Sequence, residues 1–215
     1  MRSYTAQALA LLVASASVAN ARITIKNSCS YPVYVKESNA IINQQPGFAC
    51  DMGPNKGPCP AQATMTEPWT VQGGSSTSLE IHPKGATSVK ISKDNDWITP
   101  KVTQFEYNQD PDKFWWDVSD IDGDGRARAG SPFFSENVMA WTDGDVGDSK
   151  TCIPVKCKKN EMCKDAYQFP DQKATHSCPA HTNDFTMEFC VSDADFDAKQ
   201  LPQAFVGRRS VSFVA

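Results

Sequence analysis

The chain has 215 residues and 23.5 kDa, with 40% hydrophobic, 21% charged and 10% aromatic residues, which suits one globular domain and excludes a second of full size. With 21 Lys and Arg against 25 Asp and Glu, a formal net charge of -4, it lacks the basic footprint of a nucleic-acid binder. Five Trp, eleven Phe and eight Cys supply enough apolar mass to exclude low-complexity disorder.

Residues 1–21 read as a signal peptide. Arg2 gives the positive start, Ala8 to Ala16 form an apolar run, and Ala19-Asn20-Ala21 is a small-x-small site that puts cleavage before Arg22. The run is too short to span a bilayer and no later segment reaches about 18 apolar residues, so the expectation is a secreted, extracellular chain with no membrane span. Loss of Arg2 leaves 20 basic residues against 25 acidic, a net charge of -5.

Strand periodicity follows. Arg22 to Lys26, Tyr31 to Lys36, Thr77 to Ile81, Ser88 to Lys93 and Thr103 to Tyr107 alternate or carry β-branched and aromatic residues. Gly73-Gly74, Pro83-Lys84-Gly85, Asp110-Pro111-Asp112 and Gly123-Asp124-Gly125 mark turns between such runs. With no long stretch of 3.6 periodicity, the pattern predicts an all-β sandwich or barrel. Asp120-Ile121-Asp122-Gly123-Asp124-Gly125 fits the first six positions of a calcium loop, making Asp120, Asp122 and Asp124 candidate ligands. The twelfth position is Ser131 instead of Glu, and Arg126 and Arg128 lie inside the loop, so a solvated acidic turn is the preferred reading and no metal or cofactor is expected.

All eight cysteines, Cys29, Cys50, Cys59, Cys152, Cys157, Cys163, Cys178 and Cys190, lie beyond the signal peptide. An even count in an exported chain predicts four disulfides, although spacing alone does not choose the pairing. Cys152-x4-Cys157 and Cys157-x5-Cys163 lack the short paired spacing of a zinc knuckle. His82, His176 and His181 belong to no G-x-S-x-G or H-E-x-x-H motif, so serine-hydrolase and zinc-protease chemistry have no support. Residues 191–215 contain no cysteine and are expected to form a mobile extension, with an edge strand from Val211 to Val214 as the alternative.

Four strings, in order, resemble the thaumatin-like protein family. Ile23 to Val35 is similar to its opening strand pair; Gln104-Phe105-Glu106-Tyr107 followed by Trp116-Asp117-Val118-Ser119-Asp120-Ile121-Asp122-Gly123 resembles its strand and acidic run; Cys163-Lys164-Asp165-Ala166-Tyr167 and Phe185 to Cys190 resemble its closing signatures. The long members' second, disulfide-rich domain would fall between Cys157 and Cys163, where this chain has five residues. The resemblance is thus to the short, fungal-type branch, a disulfide-stapled β-sandwich over residues 22–190. It also implies a pairing: Cys29 with Cys190, Cys152 with Cys178, Cys157 with Cys163, and Cys50 with Cys59. The first closes the longest loop and is worth roughly 4 to 5 kcal/mol in the chain-entropy picture.

The family lines an electronegative cleft with one Arg, one Glu and three Asp. The matching positions here are Glu106, Asp117, Asp122 and Asp165, with Lys93 standing where the family has Arg and Lys90 as the alternative. Such a cleft suits a sugar polymer, because carboxylates accept hydrogen bonds from hydroxyls and aromatic faces cover the apolar sides of the rings. Trp115 and Trp116 are adjacent in sequence, so one of them is expected to face the core. Glu106 with Asp117 or Asp122 is the pair nominated for glycoside hydrolysis, which requires two carboxyls at a set separation and one of raised pKa. The expected function is binding of β-glucan or of a cell-wall or host surface, by a monomer and without efficient turnover. The alternatives are an effector or adhesin acting on a host protein or cell surface in virulence, and a weak endo-β-glucanase.

Overall fold

Apolar residues recur at every second position through most of the chain, and each such run becomes a strand with one face inward. The computed structural model describes residues 21–40, 49–50, 57–58, 63–123, 130–142, 150–180 and 184–198. In chain order the strands are β1 (Arg22–Asn27), β2 (Val33–Ala40), β3 (Ala49–Cys50), β4 (Gly57–Pro58), β5 (Ala63–Met65), β6 (Trp69–Val71) and β7 (Ser75–Glu80). Then come β8 (Ala86–Ser92), β9 (Thr103–Gln109), β10 (Lys113–Ser119), β11 (Val138–Thr142), β12 (Val155–Cys157), β13 (His176–Pro179) and β14 (Asp184–Phe189), and a short helix α1 (Asp193–Ala198).

Two sheets face each other. One has the order β12-β11-β14-β1-β7, the other β13-β10-β9-β8-β2-β5 with β6 also paired to β2. β3 and β4 pair separately. The core lies between the sheets: Ile23, Ile25, Phe185, Met187 and Phe189 from one meet Val33, Val35, Val89, Ile91, Phe105, Phe114, Trp116 and Val118 from the other, all buried. Phe114 stacks on Phe185 across the interface with centroids 4.6 Å apart, and Phe105 stacks on Trp116 at 5.4 Å. Truncating Trp116 to Ala would cost about 3 to 5 kcal/mol, the usual penalty for removing a fully buried aromatic. The chain is the expected all-β, disulfide-stapled sandwich. Among the described residues no helix is long and apolar enough to cross a membrane.

Three disulfides join cysteines among the described residues. β1 runs parallel to β14 with Asn27 opposite Phe189, so Cys29 and Cys190 emerge side by side and bond with Cα atoms 4.9 Å apart. Thr151 and Ser177 pair through backbone and side chain, which brings Cys152 to Cys178. Cys157, ending β12, bonds Cys163. Of the expected Cys50–Cys59 pair, Cys59 lies outside the described residues, as does the expected signal peptide up to Asn20.

After Cys190 the chain departs from the sequence expectation. The start of the expected mobile extension is packed structure: Ser192 caps α1, its hydroxyl accepting from the Asp195 amide, and Phe196 buries against Met139, Val191 and Trp141. Lys156 covers the Phe196 ring at 4.6 Å, while Lys159 and Asn137 hold the Asp193 carboxylate. Hydrophobic contact with an anchored first turn outweighs the usual mobility of chain ends. Residues 199–215, with the Val211 to Val214 segment, lie outside the described residues.

Candidate functional site

Strand parity sends two sets of side chains from the larger sheet in opposite directions. Phe105 and Tyr107 of β9 and Phe114, Trp116 and Val118 of β10 point to the core, so Glu106, Asn108, Trp115 and Asp117 stand on the outer face. Of the adjacent tryptophans, Trp116 is the core residue and Trp115 the outward one, its indole N–H donating to Asp110 at 2.8 Å.

Antiparallel register places Asp117 directly opposite Glu106, with Ser88 on the far side of Glu106 and Ser38 beyond it. In the adjoining row Trp115 faces Asn108, and Ala86 faces Ala40. Because Ser38, Ala40, Ala86 and Ser88 are small, the sheet surface is depressed beside the taller Trp115. The resulting groove has a volume of about 410 Å³ and is lined by these residues together with Glu106, Asn108, Asp117 and Thr175.

The electrostatics are those of two crowded carboxyls. Burial, reinforced by the Glu106 charge, pushes the Asp117 carboxyl up to about 7, and its Oδ1 is buried with no hydrogen-bond partner among the described residues. Glu106 is likewise raised, by burial and by Asp122, against the opposing pull of Lys90 and the Ser119 hydroxyl. Lys90 also donates to Gln104 and stands 3.8 Å from the exposed Asp122 carboxylate. Asp122 reaches that position through a tight turn: the Gly123 amide donates to the Asp120 carbonyl, and a Cβ on Gly123 would lie 1.9 Å from the Gly130 oxygen. Such a pair can hold a proton near neutrality and accept hydrogen bonds from several hydroxyls.

The structure therefore brings Glu106, Asp117 and Asp122 together around Lys90, the alternative basic residue. Lys93 is elsewhere. Three positions on from Lys90, it falls on the other side of the sheet, where it donates to Glu136 at 2.7 Å and lies over the Tyr31 and Phe133 rings at 5.5 and 5.3 Å. Asp165 is exposed between Cys163 and Tyr167, with its charge and backbone beside His176, on a segment whose Tyr167 bridges Ser119 in parallel along the edge of β10. Asp120, one of the calcium-loop candidates, is buried and accepts from Thr103 and Gln168 at 2.6 and 2.7 Å, which commits both its oxygens to internal bonds. Asp124 lies outside the described residues. Ser88, Asn108 and Ala86 were missed in the sequence reading; alternation continued from Val89 and Tyr107 would have put all three on the outer face.

The profile of the Blastomyces yeast-phase-specific protein family matches residues 59–191, more than half of the chain. The chain belongs to that family. It is 35% identical over 101 residues to the secreted thaumatin-like protein calA of Emericella nidulans, covering 46% of this chain and 53% of that one. It is 29% identical over 119 residues to an antigenic thaumatin-like protein of Arthroderma benhamiae, covering 54% of this chain and 53% of that one. The chain thus spans about half the length of the curated relatives it matches. Among solved structures it resembles the protein elicitor MoHrip2 of Magnaporthe oryzae, with a TM-score of 0.51 and 20% identity over 80% of this chain and 99% of that one, a likeness of fold alone. Both curated relatives are named thaumatin-like proteins, in keeping with the resemblance of the sequence to the short, fungal-type branch, and one of them is named as secreted.

Proposed function

We propose that this secreted thaumatin-like protein binds a cell-wall polysaccharide, β-glucan in the first instance, along the outer groove of its larger sheet and without efficient turnover. The reading is carried by one observation: two carboxyls directly opposite each other, beside an outward tryptophan, over a floor of small residues. Packing alone does not call for such an arrangement, since like charges on facing strand positions are destabilising. A polyhydroxyl chain gives the carboxyls donors to accept from and gives Trp115 a ring to cover. Only five residues stand between Cys157 and Cys163, where long family members carry a second domain, and a site without that wall favours capture over catalysis.

Retention on insoluble β-glucan, chitin and whole cells tests this. Wild type should be retained on glucan, and Asp117→Asn should lower retention about tenfold with a thermal midpoint no lower than that of wild type; a loss of folding equal to the loss of binding would mean that the acidic pair is structural. One observation favours a second reading, weak endo-β-glucanase activity: a carboxyl held near 7 opposite a second carboxyl is the acid–base pairing that hydrolysis needs. Release of reducing sugar that disappears in Glu106→Gln would favour it. The elicitor named above brings in the effector or adhesin reading, which predicts binding to host cells stripped of glucan.

A further inference from the structure

The larger sheet carries a second outward tryptophan. Trp97, in the β8–β9 connection, is part-exposed beside Lys36, whose Nζ lies 5.6 Å from the centre of the indole ring. Lys36 alternates with the buried Val35 and Glu37 and so belongs to the outer face of β2, the face that holds the groove. Its ladder partner is Lys90, next to Gln104.

Trp97 and Trp115 are built alike. Each indole N–H is tied to an oxygen of a residue shortly before it, Asn95 at 3.0 Å and Asp110 at 2.8 Å. Each ring has a lysine ammonium over it, Lys36 at 5.6 Å and Lys113 at 5.0 Å. Asp96 stiffens the Trp97 segment further by accepting from the Ile98 and Thr99 amides and from the Thr99 hydroxyl, and these bonds hold its carboxyl below the usual range. Ile98, the next residue, is 94% exposed, so the segment stands clear of the sheet instead of collapsing onto it.

We infer that the binding groove does not end at the acidic pair but continues diagonally across the sheet from Trp115 to Trp97, so that the ligand is a neutral polysaccharide chain of several rings with an indole platform at each end. Lys36 and Trp115 are rooted three strands and four residues apart, on the order of 20 Å at about 4.8 Å per strand and 3.4 Å per residue. The path between them crosses Glu106, Ser88 and Ser38, side chains that offer hydrogen-bonding oxygens, with Lys90 beside it. Fixed aromatic platforms lose little conformational freedom on binding, which is the condition for a distant contact to add affinity. Acidic residues in the middle of the path disfavour polyanions.

The inference rests on the polysaccharide reading above, and the test separates the two. Affinities of the full chain for soluble β-1,3-gluco-oligosaccharides of two, four, six and eight rings would be measured by calorimetry for wild type, Trp97→Ala, Trp97→Phe and Met162→Ala. Wild type should gain at least tenfold in affinity from two rings to eight. Trp97→Ala should reduce that ratio about tenfold, Trp97→Phe should restore most of it, and Met162→Ala, an exposed change beside the small sheet, should leave it as in wild type. A length dependence unchanged in Trp97→Ala overturns the extended groove while leaving polysaccharide binding intact. Failure of wild type to bind any oligomer overturns the polysaccharide reading and the extension with it.

Discussion

Two carboxylates on opposite sides of the larger sheet have been given opposite surroundings. Glu136, despite partial burial, is held below its ordinary range by Lys93, Ser135 and Tyr31, all within hydrogen-bond reach. Asp117 is buried opposite another carboxyl and sits near 7, with one oxygen unpartnered among the described residues. The first is a completed ion pair; the second is an acid whose ionisation the fold opposes. The contrast separates a charge that supports the structure from one retained in spite of it, and it marks where a ligand would supply missing hydrogen bonds.

The largest effect that could break the comparison is a pH dependence. Asp117 has a folded pKa raised from 3.8 to about 7, so the folded state keeps its proton longer than the unfolded one. Its contribution is present at low pH and is lost as pH rises through about 7, by up to about 4 kcal/mol. In denaturant titrations at pH 4 and pH 8, wild type should lose that much relative to Asp117→Asn. A wild-type-minus-variant difference that is flat, or that grows with pH, would place Asp117 in the same class as Glu136.

A smaller effect of opposite sign is expected at Glu136. Its folded pKa is lowered, so its contribution is present above pH 4.5 and disappears as pH falls through the folded value. Glu136→Gln should therefore destabilise by about 2 kcal/mol at pH 7, the scale of a charged hydrogen bond, and by much less in strong acid. Circular-dichroism melts of the two proteins at pH 7 and pH 2.5 measure this directly.

The smallest effect sharpens the acidic side. Removing a cation should leave Glu106 and Asp117 more crowded, so Lys90→Met should raise the Glu106 titration midpoint, followed by carboxyl NMR, at a stability cost below about 1 kcal/mol. A downward movement would mean that Lys90 is not the counter-charge of the pair.

How much of this could be read from the residues depends on how local the cause is. Alternation located β1, β2, β7, β8 and β9 to within a few residues, because period-2 patterning is a property of neighbours. The same rule, applied to Phe114-Trp115-Trp116-Asp117, separates core Trp116 from outward Trp115. It also puts Lys93 on the face opposite Lys90, because an offset of three residues along a strand changes face. The packed tail was partly legible, since Ser192-x-x-Asp195 ahead of Phe196 is a helix start followed by an apolar anchor. Trp97 carried no signal, because a loop residue's direction is set by contacts with Asn95 and Lys36 that no periodicity encodes. The closeness of Asp122 to Lys90 was equally hidden, being a product of the turn at Gly123.

The parallel pairing of β1 with β14 has a consequence in time. β1 is an inner strand of its sheet, flanked by β14 and β7, and Asn27 waits for Phe189. A ribosome makes the first of these partners long before the last, so during synthesis the five-stranded sheet exists only as a half with its middle seam open. Pairings of such high sequence separation form slowly and leave strand edges exposed until they do. Completion of this sheet therefore waits for β14, and the Cys29–Cys190 bond waits for the residue that follows that strand.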